Sequence, residues 1–218
     1  MHPLSALKLR AYSDKGLTIE PSTIGLWDET IEAAGYLLSG QSDKGFGYEI
    51  AVCNSVLSTM VTGFEAYSKK RFLELETEGI SANTEALIAK FTSRAKRSSS
   101  FQNINSEAES AGKSVLAYFV DMGRINFQSY DDCKRAYNKA YKLSFGDIGL
   151  NSKTLAPLQK YFKYRHLTVH TSPLLPGYYI HTEGVAGIEK ASKKLAQEVV
   201  DCFKIFIEYL HRATLKLR

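Results

Sequence analysis

The stretch that decides the fold is residues 48–76, YEIAVCNSVLSTMVTGFEAYSKKRFLELE. Its apolar residues recur at steps of three and one, a spacing that places them on one stripe of an α-helix. The stripe consists of Cys53, Val56, Leu57, Met60, Val61 and Phe64 and continues to Phe72. This spacing predicts one long core helix.

A second long pattern covers residues 187–215. Its apolar residues follow a 3-4-4-3-4-3 spacing and are Ile188, Ala191, Leu195, Val199, Cys202, Phe206 and Tyr209. Shorter helical patterns lie between, at residues 82–96 behind a Ser81 cap, 130–143 after Ser129, and 155–170. Because helices with one apolar face bury it against each other, the chain is predicted to be an all-α, antiparallel helical bundle.

Other segments break this helical pattern. The sequence GYYIHTEG at residues 177–184 is suited to a short β-hairpin, and the serine-rich residues 98–110 favour a mobile loop or insertion. Within the first 47 residues, a strand pattern covers 7–12 and a helix pattern covers 24–38. We therefore expect an N-terminal extension at 1–47, followed by a helical domain at 48–218.

Composition narrows the class of protein. Of the 218 residues, 44% are apolar and 23% are charged, which excludes a wholly disordered chain, a collagen and a disulfide scaffold. The net charge of +5 permits an anionic partner. The three cysteines form no CxxC pair, and neither a signal peptide nor a membrane-spanning segment is evident. We expect a soluble protein in the reducing cytoplasm.

The helix predicted at residues 155–170 carries polar side chains that could do chemistry. Leu155, Leu158, Phe162 and Val169 form its predicted apolar stripe. On a helical wheel His166 falls inside this stripe, while Arg165 and His170 fall at its margins. Burying such groups is costly unless they have partners or reach solvent. A site at an interface or cleft would explain their placement.

Less specific explanations apply to the same residues. A buried histidine is commonly a hydrogen-bonded core residue, and cations near a helix C-terminus offset the helix dipole, which suits His170. His166 and His170 are four residues apart and could share a metal ion, with His181 as a third ligand. The chain has no HExxH sequence, and we predict neither a metal site nor a cofactor.

The segment YRHLTVH, residues 164–170, resembles the signature of HEPN-domain proteins, in which an Arg and a polar residue precede a His near a helix end. The sequence FEAY at residues 64–67 is similar to an acidic-aromatic element of that family's first core helix. The resemblance covers residues 48–215 and extends to the RiboL-PSP-like and MAE-like HEPN toxins and effectors. It implies a metal-independent endoribonuclease that acts as a homodimer with facing motif helices.

The resemblance also implies roles for individual residues. RNA carries its own nucleophile, the 2′-OH, so cleavage needs proton transfer and a cation for the developing negative charge. His170 would transfer the proton, Arg165 would stabilise the charge, and His166 would orient the phosphate or share the acid–base work. Glu65 would support Arg165 or line the cleft, although most such carboxylates are simply solvated.

A basic run leads into the motif. Between Lys134 and Arg165 there are eight basic residues and one acid, Asp147, with Tyr137, Tyr141, Tyr161 and Tyr164 interleaved. Basic surfaces attract phosphates and aromatic rings stack on unpaired bases, so Lys160, Lys163 and Tyr164 are predicted to bind single-stranded RNA. Solvated lysines on ordinary amphipathic helices would give the same pattern.

The expected partners follow from the resemblance. They are RNA, a second copy of the chain, and a cognate antitoxin or neighbouring defence protein, with no membrane. Family members paired with a nucleotidyltransferase antitoxin often carry Tyr two residues after the final His, where this chain has Ser172. Regulation by adenylylation at that position is therefore not expected. The alternative function is a non-catalytic RNA-binding or assembly module of the same fold.

Overall fold

The computed structural model describes residues 22–40, 45–92, 97–182 and 185–217. Within these ranges lie eight helices and one β-hairpin. The helices are α1 Ser22–Ser39, α2 Phe46–Thr77, α3 Thr84–Phe91, α4 Arg97–Ser110, α5 Val115–Asp121, α6 Tyr130–Tyr141, α7 Ser152–His170 and α8 Lys193–Leu215. The strands are β1 Gly177–Thr182 and β2 Val185–Lys190. The prediction of an all-α fold with a short hairpin is confirmed.

Helix α2 is the long core helix that the opening stretch predicted. Every residue of its predicted stripe is buried, and α1 and α8 pack along it. Gly63 permits the close approach of α1, because a Cβ at this position would lie 2.1 Å from Cγ2 of Thr30. Three helices thus share one core.

Helix α1 confirms the helical pattern at residues 24–38. Its Trp27 is fully buried and meets the ring of Tyr67 edge-on, with 6.1 Å between ring centroids. Helix α1, which lies within the predicted N-terminal extension, therefore packs in the same core as the helical domain. The predicted strand at residues 7–12 lies outside the described residues.

Helix α8 begins later than the predicted 187–215. Ser192 caps it by accepting a hydrogen bond from the backbone N–H of Leu195, and residues 187–190 belong to β2. The predicted stripe was also wrong at its edges. Tyr209 is partly exposed, whereas Phe203, Ile207 and Leu210 are buried. An α-helix has 3.6 residues per turn, so residues that follow a 3-4 repeat drift away from the buried face along the helix.

The hairpin prediction is confirmed. Strands β1 and β2 pair antiparallel, with Tyr178 opposite Glu189 and Tyr179 opposite Ile188. Side chains alternate across a strand, so Tyr178 is buried against the bundle while Tyr179 and Ile188 are 63% and 71% exposed. The hairpin therefore has an inner and an outer face.

The middle of the chain corrects two predictions. Helix α3 is capped by Asn83 rather than Ser81, and residues 97–110 form helix α4 rather than a mobile loop. Ile104 and Ala108, one turn apart on α4, are both buried, and this short apolar line holds the helix against α3 and α5. Ser129 caps α6 as predicted.

No helix among the described residues is long and apolar enough to cross a bilayer.

Candidate functional site

Helix α7 carries the predicted motif and is packed through a different face from the one expected. Leu158, Tyr161, Tyr164 and Thr168 are buried, whereas Val169 is 53% exposed and His166 is exposed. The predicted placement of His166 inside the core stripe is therefore wrong. The predicted stripe contained only aliphatic and Phe residues, whereas the buried side of α7 also contains the rings of Tyr161 and Tyr164.

Aromatic contacts seat the first half of α7. Phe162 lies edge-on to Phe64 of α2, with 4.9 Å between ring centroids, and 5.5 Å from the ring of Phe203 of α8. Pro157 occupies the second turn of the helix, and the backbone N–H of Leu155 donates to the carbonyl of Asn151. The start of the helix is thus fixed before the motif is reached.

The hairpin braces the second half of α7. Tyr164 stacks on Tyr178 of β1 at 4.1 Å between ring centroids, with planes 8° apart, and its hydroxyl donates to Glu189 at 2.6 Å. Lys160 forms an ion pair with the same carboxylate at 2.8 Å. Burial, and then the bond to Glu189, raise the pKa of Tyr164. This tyrosine acts as a neutral hydrogen-bond donor.

The loop after α7 is also held. The side-chain amide of Asn54 on α2 donates to the carbonyls of Pro173 and Leu175 at 2.7 and 3.2 Å. Its oxygen accepts a hydrogen bond from the hydroxyl of Tyr178. The chain therefore leaves α7 in a defined direction directly after His170.

These contacts correct the predicted RNA-binding set. Tyr137, Tyr141, Tyr161 and Tyr164 are all buried, so their rings offer no free face to a base. Lys160 is engaged by Glu189. Lys163 remains exposed on the helix surface. Basic residues of the run that are exposed are therefore candidates to contact phosphates, but the interleaved tyrosines are not candidates for stacking.

Three polar side chains of the motif, Arg165, His166 and His170, form no hydrogen bond or ion pair with the described residues. Arg165 is half-buried, its Nε is shielded from solvent with no acceptor, and it has no ion-pair partner in the described part of the chain. His166 and His170 are exposed one turn apart, with 4.3 Å between their ring centroids. Neither imidazole has a hydrogen-bond partner among the described residues. Three functional groups on one helix end are thus free to act on a ligand.

Glu65 is placed apart from the role predicted for it. One of its carboxylate oxygens accepts a hydrogen bond from the side-chain amide of Gln128 at 2.6 Å. Across the described ranges it forms no ion pair with Arg165. One oxygen of Glu65 is therefore used by Gln128 rather than by Arg165.

The surroundings of the motif are apolar and open. Leu167, Val169 and Leu174 are all exposed large apolar residues near the end of α7. Depressions elsewhere on the surface are lined by residues such as Tyr48, Ile80 and Tyr118. The motif of a single chain thus has an exposed apolar surface around it.

A metal site of three or more ligands is not present among the residues whose side chains the structure describes. His166 and His170 are the two adjacent candidates for ligands. The side chain of His181, the third ligand of the metal alternative, lies outside the described residues.

A second polar cluster was missed in the sequence. Arg71 of α2 is fully buried, and its Nε donates to the hydroxyl of Thr214 at 2.9 Å while its Nη atoms donate to Glu74 and Glu78 at 3.0 Å. Burial would lower the pKa of Arg71, but the hydrogen bond and charge of Glu78 outweigh it and the pKa is raised. The sequence does indicate that Arg71 is buried, because Arg71 follows Phe64 by two helical turns on the core face of α2.

The resemblance described above has no support from whole-chain similarity. The chain matches no protein-family model, no curated protein and no solved structure. The case for a function therefore rests on the residues and geometry of the end of α7.

Proposed function

We propose that this protein is a HEPN-like, metal-independent endoribonuclease that acts in the cytoplasm of a prokaryote, in a toxin–antitoxin or antiphage defence system. One observation carries the proposal. Arg165, which has no acceptor among the described residues, lies beside two exposed imidazoles at the end of a well-braced helix. A cation and proton-transfer groups without structural partners are the components that RNA cleavage requires.

The chemistry needs no group beyond these side chains and the RNA. A base removes the proton of a 2′-OH, whose oxygen attacks the adjacent phosphorus, and an acid protonates the departing 5′-oxygen. The products are a 2′,3′-cyclic phosphate and a 5′-OH. His170, with His166 beside it, transfers the protons, and Arg165 stabilises the charge on the non-bridging oxygens.

A second copy of the chain would complete the site. Arg165 and His170 are five residues apart, about 140° around an ideal helix, so one helix cannot present both toward the same point. The exposed Leu167, Val169 and Leu174 give the end of α7 an apolar surface that a partner would cover. A homodimer with facing α7 helices would place Arg165 of one copy near His170 of the other.

The charge of the surface fits an RNA substrate. Lys134, Lys139 and Lys142 at α6 and Lys163 on α7 are exposed, and none of them forms an ion pair in the described parts of the chain. Each contact of such a lysine with a phosphate releases counterions, so RNA binding should weaken steeply with salt.

Cleavage of single-stranded RNA by purified protein tests the proposal. His170→Ala should reduce the rate by about 10²–10⁴-fold, since it removes a proton-transfer group. The matched control is Thr171→Ala, the exposed neighbour, which should leave the rate unchanged. Wild type should also arrest growth on expression, and His170→Ala should relieve the arrest. The products should carry 5′-OH ends, and EDTA should not inhibit.

Three outcomes would count against this proposal. Equal cleavage by wild type and His170→Ala would exclude the enzyme as proposed, and inhibition by EDTA would favour a metal hydrolase. A stable monomer that cleaves RNA at full rate would exclude the dimer cleft.

The alternative, a non-catalytic RNA-binding or assembly module, is favoured by the open position of the motif on a single chain. It predicts that Arg165→Ala weakens RNA binding although neither variant nor wild type cleaves RNA. A binding assay run beside the cleavage assay separates the two functions.

A further inference from the structure

Helix α7 carries two exposed histidines whose imidazole rings lie next to each other. His166 and His170 are separated by one helical turn, their rings are 4.3 Å apart, and both are exposed. In the described residues neither ring donates or accepts a hydrogen bond. Both imidazoles therefore offer nitrogen lone pairs on the same side of the helix.

We infer that His166 and His170 form a two-nitrogen chelate for a late divalent transition metal, with Zn²⁺ as the probe. Imidazole suits Zn²⁺, Cu²⁺ and Ni²⁺ and is a poor match for Mg²⁺ or Ca²⁺. A tetrahedral ion with Zn–N bonds of about 2.0–2.1 Å needs its two nitrogens roughly 3.3 Å apart. The two ring centroids are 4.3 Å apart on an exposed helix face, so rotation of the side chains can bring a nitrogen of each ring to this spacing.

The charge around the pair sets the strength of the site. Helix α7 contains no Asp or Glu, and Lys163 and Arg165 lie within one turn of His166. Neighbouring cations oppose a divalent ion, and water must fill the two remaining coordination positions. The chelate is therefore open and of modest affinity, so the ion binds reversibly and is not a resident structural metal.

The chelate has a regulatory consequence, which rests on the proposed function. A nitrogen bound to the ion has no lone pair left to accept a proton from a 2′-OH. Occupancy of the pair therefore blocks proton transfer, and the ion inhibits the nuclease. Mg²⁺, which has little affinity for imidazole, should not inhibit.

Calorimetric titration of the full chain with Zn²⁺ at pH 7.5 tests the chelate directly, without RNA. We expect one ion per chain at this site, and a loss of affinity of at least about tenfold in both His166→Ala and His170→Ala, because removal of an outer-shell partner alone typically costs 10–100-fold. Since protons compete for the same nitrogens, the affinity should fall as the pH is lowered.

A matched control keeps the number of histidines constant. The double variant Lys163→His and His166→Ala places its histidines seven residues apart, about 10.5 Å along the helix, which is too far to share one ion. It should bind as weakly as His166→Ala. Full affinity in this variant or in either single variant would overturn the chelate, as would one ion bound per two chains.

The metal chelate and the ribonuclease function can be disproved independently of each other. Zn²⁺ binding that depends on both histidines in a protein without ribonuclease activity would sustain the chelate and overturn the proposed function. Cleavage that depends on His170, with Zn²⁺ binding unaffected by both variants, would do the reverse. If both hold, Zn²⁺ should inhibit cleavage over the same concentration range in which it binds, and EDTA should restore the rate.

Discussion

The protein places an arginine and a histidine together in two regions, and their surroundings differ completely. In the core, Arg71 is bonded to Thr214, Glu74 and Glu78, and the hydroxyl of Tyr67 lies 2.7 Å from Nδ1 of His211. At the end of α7, Arg165 and His170 have no such partners in the described residues. Residue type alone therefore does not distinguish the two regions, whereas the presence or lack of partners among the described residues does.

The core cluster joins three helices. Arg71 and Glu74 belong to α2, Thr23 of α1 donates to Glu74 at 2.6 Å, and Thr214 belongs to α8. Removal of one partner from a buried ion pair leaves an uncompensated charge, which costs far more than loss of an exposed charge. Stability measurements can therefore test the contrast between the two regions.

The largest difference should appear between Arg71→Ala and Arg165→Ala. Arg71→Ala leaves the carboxylates of Glu74 and Glu78 buried without their cation and should lower the free energy of unfolding by about 3–5 kcal/mol. Arg165→Ala should change it by about 0.5 kcal/mol or less, since Arg165 forms no hydrogen bond or ion pair with the described residues. Denaturant unfolding measures both, and equal effects would break the comparison.

A smaller difference should separate two tyrosines. Tyr67→Phe removes the hydroxyl that faces the buried Nδ1 of His211 and should cost about 1–3 kcal/mol. Its control is Tyr209→Phe, on the partly exposed side of α8, which should have little effect. A neutral result for Tyr67→Phe would mean that this buried contact contributes no net stability.

The smallest effect should come from an exposed ion pair. Lys113 and Asp121 meet at 2.7 Å, and both side chains are about half exposed, so Lys113→Ala should cost about 0.5 kcal/mol or less. The hydrogen bond from Lys113 lowers the pKa of Asp121, so its contribution is present at neutral pH and is lost as the pH falls through that lowered pKa. Wild type and variant should therefore become equally stable in acid, and a difference that persists there would contradict this origin.

Much of the fold could be predicted from the sequence, because the longest apolar stripes belong to α2 and α8. Local capping residues such as Ser129 also mark where helices begin. Helix α4 was missed because its apolar residues, Phe101, Ile104 and Ala108, are few and stand among serines and other polar residues. The buried face of α7 was misplaced because Tyr161 and Tyr164 bury their rings only after the hairpin supplies Glu189 and Tyr178. Long-range partners of this kind leave no local pattern.

For the candidate site, the sequence could name Arg165, His166 and His170 but not their exposure. The argument from burial that singled them out was wrong, since His166 lies outside the core. Their lack of partners is visible only in three dimensions, because it depends on where Glu65, Gln128 and Glu189 point.

The alternation of the hairpin divides its residues into those that constrain α7 and those that do not. Tyr178 and Glu189 hold the motif helix, so their replacement would alter its position, whereas Ile188 on the opposite face is 71% exposed. Position 188 can therefore accept a fluorophore or a surface-attachment group. A reporter there would lie a single strand's thickness from α7 without touching any residue that supports it.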